Sequence, residues 1–342
     1  VTTRADWEAR VAKELGGDAS DLSTVLPEGF PVPALAPDAA ASYPPPGVWP
    51  YARGWRAAAA RPRNMPRVDA GAAGFAEDAA DDLRGGADAL WIAGARSPEE
   101  IAAALRPARG EEIVVGVDAG DDLARAGDVA EAVEAEHAGA RVILFAPAAS
   151  PGVPGERPFA IPTHAWHAAG AHGGLEVAYA AAAGAHALRL LGDAGADLEA
   201  AAGRVGFSVS VGRDVLSEIA KLRALRVVWA KVLSAAGVDA PPAWIHAVSS
   251  ARDSARRGPW NNILRGTTAA FAAICGGADA VTVLPFDSPV GPPTREARRT
   301  ARNTVTILRE ECALAAVADP AGGAPAVELV TDRLARIAWD RL

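Results

Sequence analysis

Seven short apolar runs, most of them followed by a helix-like segment, constrain this chain more than anything else in it. They cover residues 89–93, 113–117, 142–145, 159–162, 205–211, 244–248 and 280–284. A strand with one wet face alternates apolar and polar residues, whereas near-continuous Val, Ile and Leu runs suit parallel strands covered on both faces. Parallel neighbours need crossover connections, and helices supply them. The repetition predicts an α/β fold, a (β/α)8 TIM-type barrel. Seven runs are one short of eight, and between residues 141 and 163 two of them are joined by a Pro/Gly-rich loop without a helical pattern. Either a crossover is abbreviated there, or the chain holds a further strand that the apolar pattern does not show. An open doubly wound sheet is the alternative.

The helical segments carry their own punctuation. In residues 214–233, Val215, Ile219, Leu222, Leu225, Trp229 and Val232 recur three or four apart, with Lys221, Arg223 and Lys231 off that stripe. The spacing predicts a helix covering the outside of the sheet, its charges in solvent. Another helix starts near Pro259, runs to Cys275 and is stopped by Gly276-Gly277. At the amino end, Trp7, Val11 and Leu15 mark a short amphipathic helix over residues 5–15. Residues 26–54 follow, dense in proline, which lacks the N–H and the torsional freedom regular structure needs. They read as an extended arm docked through Tyr43, Trp49, Tyr51 and Trp55, or else as a loosely ordered linker. The expected division is residues 1–56 for helix and arm, and residues 57–342 for the barrel.

Composition removes several functions. A net charge of −8 with no basic tract argues against nucleic acid. The apolar stretches are too short for a membrane span, and no basic region leads into an apolar one at the start. Cys275 and Cys312 are the only cysteines, far from a disulfide framework or a thiolate cluster, so a reducing cytoplasm fits. The three lysines, Lys13, Lys221 and Lys231, all fall in helical patterns, whereas a barrel aldolase needs a lysine projecting inward from a strand.

Barrels place reactive groups at the carboxyl ends of their strands, which directs attention to Asp118, His164, His167, Ser208, His246 and Asp287. His164, His167 and His246 are the candidate pocket residues. A metal-dependent hydrolase could use such a set, but Asp118 reads as a cap for the next helix and Asp287 as turn chemistry. No metal site is expected. His137, His172 and His186 fall in helical or loop patterns and read as packing or surface residues. Gly276-Gly277 precedes its strand, which puts it on the opposite face from the reactive one.

Longer strings carry a family resemblance. Arg257-Gly-Pro-Trp-Asn-Asn-Ile-Leu-Arg265, the run from Ala269 through Cys275-Gly-Gly-Ala-Asp279 to Val283-Leu-Pro-Phe-Asp287, Ala301-Arg-Asn-Thr304 and Ala318-Asp-Pro-Ala-Gly-Gly323 occur in order. Together with Glu218-Ile-Ala-Lys-Leu-Arg-Ala-Leu-Arg226 and the arm string Pro46-Gly-Val-Trp-Pro-Tyr-Ala-Arg-Gly54, they resemble the barrel of methylmalonyl-CoA mutases. The strand Val281-Thr-Val-Leu-Pro-Phe-Asp287 resembles the small, non-catalytic subunit in particular. What the resemblance implies about a working site is then absent. The large subunit's catalytic tyrosine falls on Val68, its active-site histidine has no match in register around Thr163-His164-Ala165, and a cofactor-contacting glutamine falls on Val248. The string His167-Ala-Ala-Gly170 is half of the cobalamin motif Asp-x-His-x-x-Gly, with Ala165 in the aspartate position. No cobalamin-binding domain is expected in this chain.

The resemblance therefore implies a structural subunit that supports adenosylcobalamin-dependent isomerisation of an acyl-CoA, docked on a larger catalytic chain in a heterodimer and binding no cofactor alone. Two alternatives are a compact mutase barrel that recruits a separate cobalamin domain, and a non-enzymatic acyl-CoA-binding module.

Overall fold

The computed structural model describes residues 3–37, 42–94, 96–108, 112–118, 120–147, 157–239 and 242–342. The chain opens with α1 (Arg4–Leu15), where the Thr3 hydroxyl and the Asp6 carboxylate cap each other's backbone N–H, and Gly16 in the left-handed region ends the helix. Val11 is buried on it, while Leu15 is exposed, so the expected apolar face is only partly used. β1 (Thr24–Val25) and β2 (Pro31–Val32) form a small antiparallel hairpin inside the segment read as an arm.

Then come β3 (Arg63–Asn64), β4 (Arg67–Asp69), α2 (Phe75–Arg84), β5 (Ala89–Ala93), α3 (Pro98–Ala104), β6 (Ile113–Asp118), α4 (Leu123–Glu136) and β7 (Ala140–Phe145). β8 (Phe159–Pro162) leads into α5 (His164–Ala168), α6 (Gly173–Asp193) and α7 (Leu198–Arg204). The chain continues through β9 (Val205–Val211), α8 (Val215–Ala235), β10 (Trp244–Ser249), α9 (Asn261–Cys275), β11 (Ala280–Thr282), α10 (Arg295–Glu310) and α11 (Pro325–Trp339). Part of the 141–163 loop lies outside the described residues.

Strands β3 to β11 make one parallel sheet of nine, in the order β3, β11, β10, β9, β8, β7, β6, β5, β4. Its two edge strands are neighbours in sequence, separated by Met65 and Pro66. Met65 N–H donates to Val281 of β11 and Trp91 N–H of β5 donates to Pro66, so one segment holds both ends of the sheet. The sheet is curled accordingly, consistent with a TIM-type barrel. The seven apolar runs correspond to β5 through β11, and the strand hidden from the pattern is the 63–69 segment. Two prolines and the polar run Arg63, Asn64, Arg67, Asp69 disguise it.

Alternation along each strand sorts two cores. Leu90, Ile92, Val142, Leu144, Phe207, Val209, Ile245 and Ala247 pack toward the helices. Ala89, Trp91, Ile143, Phe145, Val248 and Met65 pack together on the other face, inside the curl. One expectation fails on α8, where Lys221 and Arg223 are buried rather than solvated. α8 is sandwiched among α6, α9 and α11, so its polar side meets a further helix instead of water.

Candidate functional site

Polar groups on the inner face join β8, β9, β10 and β11 in one chain of hydrogen bonds. His164, just past β8, has Nδ1 2.9 Å from Ser210 Oγ and Nε2 2.9 Å from Ser208 Oγ. Ser208 Oγ lies 2.8 Å from His246 Nδ1, and His246 Nε2 lies 2.7 Å from Thr282 Oγ1. The Thr282 hydroxyl donates to the Met65 carbonyl, in the segment that joins the sheet edges. That last bond orients the rest, because a hydroxyl has one proton to give. Thr282 accepts from His246 Nε2–H, leaving His246 Nδ1 to accept from Ser208. Ser208 accepts from His164 Nε2–H, and His164 Nδ1 accepts from Ser210. With both imidazoles neutral, this order fixes their tautomers.

Burial favours the same protonation state. It drives the His164 pKa down to about 4, with the neighbouring Glu176 only partly opposing and the nearby His167, Lys221 and Arg67 adding to the fall. Burial, and then the neighbouring His164, hold His246 well below its ordinary value. Aromatic rings close the space around them. Trp91 stacks on Phe145 at 5.5 Å between centroids, and both meet His246 edge-on at 5.5 and 5.4 Å, while Trp244 stacks on His246 at 5.9 Å. Trp91 is only 7 % exposed, and Phe145, Met65 and His246 are buried.

His167 belongs to a second cluster, at the junction of β8, α5, α6, β9 and α8. Glu176 is its centre. One carboxylate oxygen accepts from Lys221 Nζ at 3.0 Å and faces His167 Nδ1 at 3.1 Å. The other accepts from Thr163 Oγ1 at 2.6 Å and Ser210 N at 3.1 Å. Lys221 also donates to Ser210 O and lies 2.5 Å from Glu218, while His167 Nε2 is 2.8 Å from Ser250 Oγ. Burial alone would raise the Glu176 carboxyl, but Lys221 and the His167 and Thr163 hydrogen bonds outweigh it and hold the group below its ordinary range. Burial likewise works against the Lys221 ammonium, and Glu176 and Glu218 overcome it to keep the pKa raised. For Glu218 burial prevails and its pKa is raised.

His164 and His246 thus meet through Ser208, and His167 lies apart with Glu176. All three candidates have both ring nitrogens engaged. The remaining strand-end residues hold loops: Asp118 accepts from Gly120 N and Asp287 from Thr294. The cap of α4 is Asp122, four residues past the Asp118 expected there. Among the lesser histidines, His137 is buried against the Ala102 carbonyl, His172 caps α6 and His186 is exposed. Gly276 ends α9 as expected. Among the described residues no group of three or more His, Cys, Asp or Glu is placed to hold a metal ion, and no helix is long and apolar enough to cross a membrane. Sequence reading missed Glu176, Lys221 and Ser210. The alternation Phe207-Ser-Val-Ser210 in a strand bounded by apolar residues was the available cue, since hydroxyls on one face of a buried strand need partners.

A cavity of about 480 Å³ opens at the amino ends of the strands. Arg53, Arg56, Arg61, Arg63 and Arg141 line it with Trp55, Trp244 and the Gly276-Gly277 turn, among the carboxylates of Asp88, Glu112, Asp279 and Asp319.

Comparison with known proteins places this architecture. The methylmalonyl-CoA mutase family model matches residues 140–342. The methylmalonyl-CoA mutase small subunit of Streptomyces virginiae is 48% identical over 188 residues, which is 55% of this chain and 30% of the relative. The protein named probable methylmalonyl-CoA mutase small subunit in Mycobacterium tuberculosis is 35% identical over 368 aligned residues, 94% of this chain and 59% of the relative. A methylmalonyl-CoA mutase large subunit, from Porphyromonas gingivalis, is 34% identical over 174 residues, 50% of this chain and 24% of the relative. The chain thus spans under two thirds of the length of the curated relatives it matches. With the family model covering more than half of it, the chain belongs to the methylmalonyl-CoA mutase family.

Proposed function

We propose that this chain is a supporting subunit, a (β/α)8 barrel with an amino-terminal arm, that pairs with a larger catalytic mutase chain and performs no rearrangement itself. The observation that carries the proposal is the filled interior of the curled sheet. Trp91, Phe145, Met65, Trp244 and the two neutral histidines occupy the space that an acyl chain would need. The hydroxyl–imidazole chain is spent internally, because every base in it already has its proton donor. A group so engaged cannot act as nucleophile or base without first being released.

The family's cofactor, adenosylcobalamin, supplies radical chemistry when bound. The half-motif around His167 does not fit it. An axial ligand needs a free ring nitrogen and an acceptor behind the other, whereas His167 is 3 % exposed and fastened on both sides by Glu176 and Ser250. On this reading the cofactor and the acyl-CoA isomerase activity belong to the partner. Mixing this chain with a large mutase subunit and measuring mass by light scattering tests the idea. A 1:1 complex is expected, and two unassociated species at micromolar concentration would overturn it.

The cavity at the opposite face favours a second reading, as an acyl-CoA-binding module. Its arginines and tryptophans suit a phosphorylated nucleotide, while the filled interior would keep the acyl end outside. Calorimetric titration with coenzyme A decides this, since no heat and no thermal shift would remove it.

A further inference from the structure

The hairpin of β1 and β2 carries a buried acid at its turn. Glu28 stands between Pro27 and Gly29, with Gly29 at φ +86° letting the chain turn back, and its side chain is only 4 % exposed. One carboxylate oxygen accepts from Gly174 N–H at 3.3 Å, in the first turn of the 21-residue helix α6. The same oxygen lies 3.4 Å from His172 Nδ1, and the other is buried without a hydrogen-bond partner. Among the described residues, Glu28 is the side chain through which residues 3–37 bond to the rest of the protein.

The socket is shaped by two missing side chains. A Cβ on Gly173 would stand 3.2 Å from Glu28 Oε1 and 3.5 Å from Lys221 Cδ. One on Gly174 would stand 3.0 Å from Ile337 Cγ2 on α11 and 3.6 Å from Glu28 Cγ. The missing Cβ of Gly173 leaves room for the Glu28 carboxylate and the stem of the buried lysine to crowd the same point of the chain, at the start of α6 where backbone N–H groups favour an anion. Leu26 and Val32, on either side of the turn, are buried in the main core, and Phe30 packs against it.

We propose that residues 3–37 form a strap clipped by Glu28 into the Gly173-Gly174 socket, and that the strap seals the Glu176–Lys221–His167 cluster from water. Releasing the clip opens that cluster without unfolding the sheet. The clip lies within one chain and needs no catalytic partner.

The lysine count makes it measurable. With only Lys13, Lys221 and Lys231 in the chain, acetylation by N-hydroxysulfosuccinimide acetate can be followed at each site by peptide mass spectrometry. In the wild-type protein the exposed Lys13 and Lys231 react and Lys221 is protected. In Glu28→Ala, Lys221 is expected to react about ten-fold faster or more, as a local opening requires, while buried Cys275 stays closed to iodoacetamide. Amide exchange over residues 24–32 should lose protection in parallel. Unchanged Lys221 reactivity and unchanged hairpin exchange in Glu28→Ala would overturn the proposal. Should Cys275 become reactive as well, the same two measurements on Glu28→Ser, which withdraws the acceptor from Gly174 N–H while keeping a polar group at the turn, decide between the same outcomes.

Discussion

At the scale of single residues, the interior is held by groups whose charge state folding has fixed. His164 titrates near 4 in the folded chain against about 6.5 unfolded. Its folded value is depressed, so its contribution is fully present above pH 6.5 and is lost as pH falls toward 4, amounting to about 3 kcal/mol at most. Urea midpoints at pH 7, 5.5 and 4.5 should therefore decline, and His164→Gln should flatten the decline. His246, shifted the same way, keeps some of it. Glu176 also has a depressed value, and its stabilisation is lost from the ordinary carboxylate value of 4.5 downward, so it enters only at the acid end of that window. Glu176→Ala leaves the Lys221 ammonium buried with Glu218 alone and should cost about 3–5 kcal/mol by chemical denaturation. Replacing Lys221 by Met in a Glu176→Gln background should recover part of the loss. None of this pairing was legible in the sequence. Glu176 and Lys221 are 45 positions apart, and Arg223 finds Asp319 and Glu328 at separations of 96 and 105. A charged residue in a helical pattern reads as solvated unless the covering helix is known.

At the scale of elements, glycine separates packing from propensity. Gly184 lies within α6, where a Cβ would come 2.6 Å from the Trp229 ring and 3.0 Å from Phe207. Gly203 lies within α7 with nothing inside 4 Å. Alanine favours either helix by about 0.5–1 kcal/mol. Gly203→Ala should then raise the melting temperature, whereas Gly184→Ala should lower it, because overpacking costs about 1–3 kcal/mol and exceeds the helix gain. Calorimetry on the two variants checks both signs. Element type was legible wherever side chains repeat with a period, as in β5 through β11 and α8. It was illegible at residues 63–69, where backbone pairing rather than side-chain pattern makes the strand. There Asn64 is buried, its amide donating to Arg302 O and Thr306 Oγ1 on α10, so a polar residue does what an apolar one does elsewhere.

At the scale of the whole molecule, a supporting role predicts stability that depends on company. A large mutase subunit at 100 times its dissociation constant should add about 2.7 kcal/mol to the unfolding free energy and raise the melting temperature with concentration. Adenosylcobalamin alone should leave both the melting curve and the cofactor's absorption spectrum unchanged. The reverse pattern, a shift with cofactor and none with protein, would contradict the assignment.

Arg63 pairs with Ala280 at the place where the two ends of the sheet share a segment. On the ribosome, that edge is made early and its partner late. At about 5–20 residues per second the intervening stretch takes roughly 10 to 40 s to synthesise. Through that interval β3 presents unpaired backbone groups, an invitation to join other nascent chains. Trigger-type holdases and growth temperature should thus govern soluble yield more strongly than folded-state stability does, and chains cut before residue 280 should aggregate.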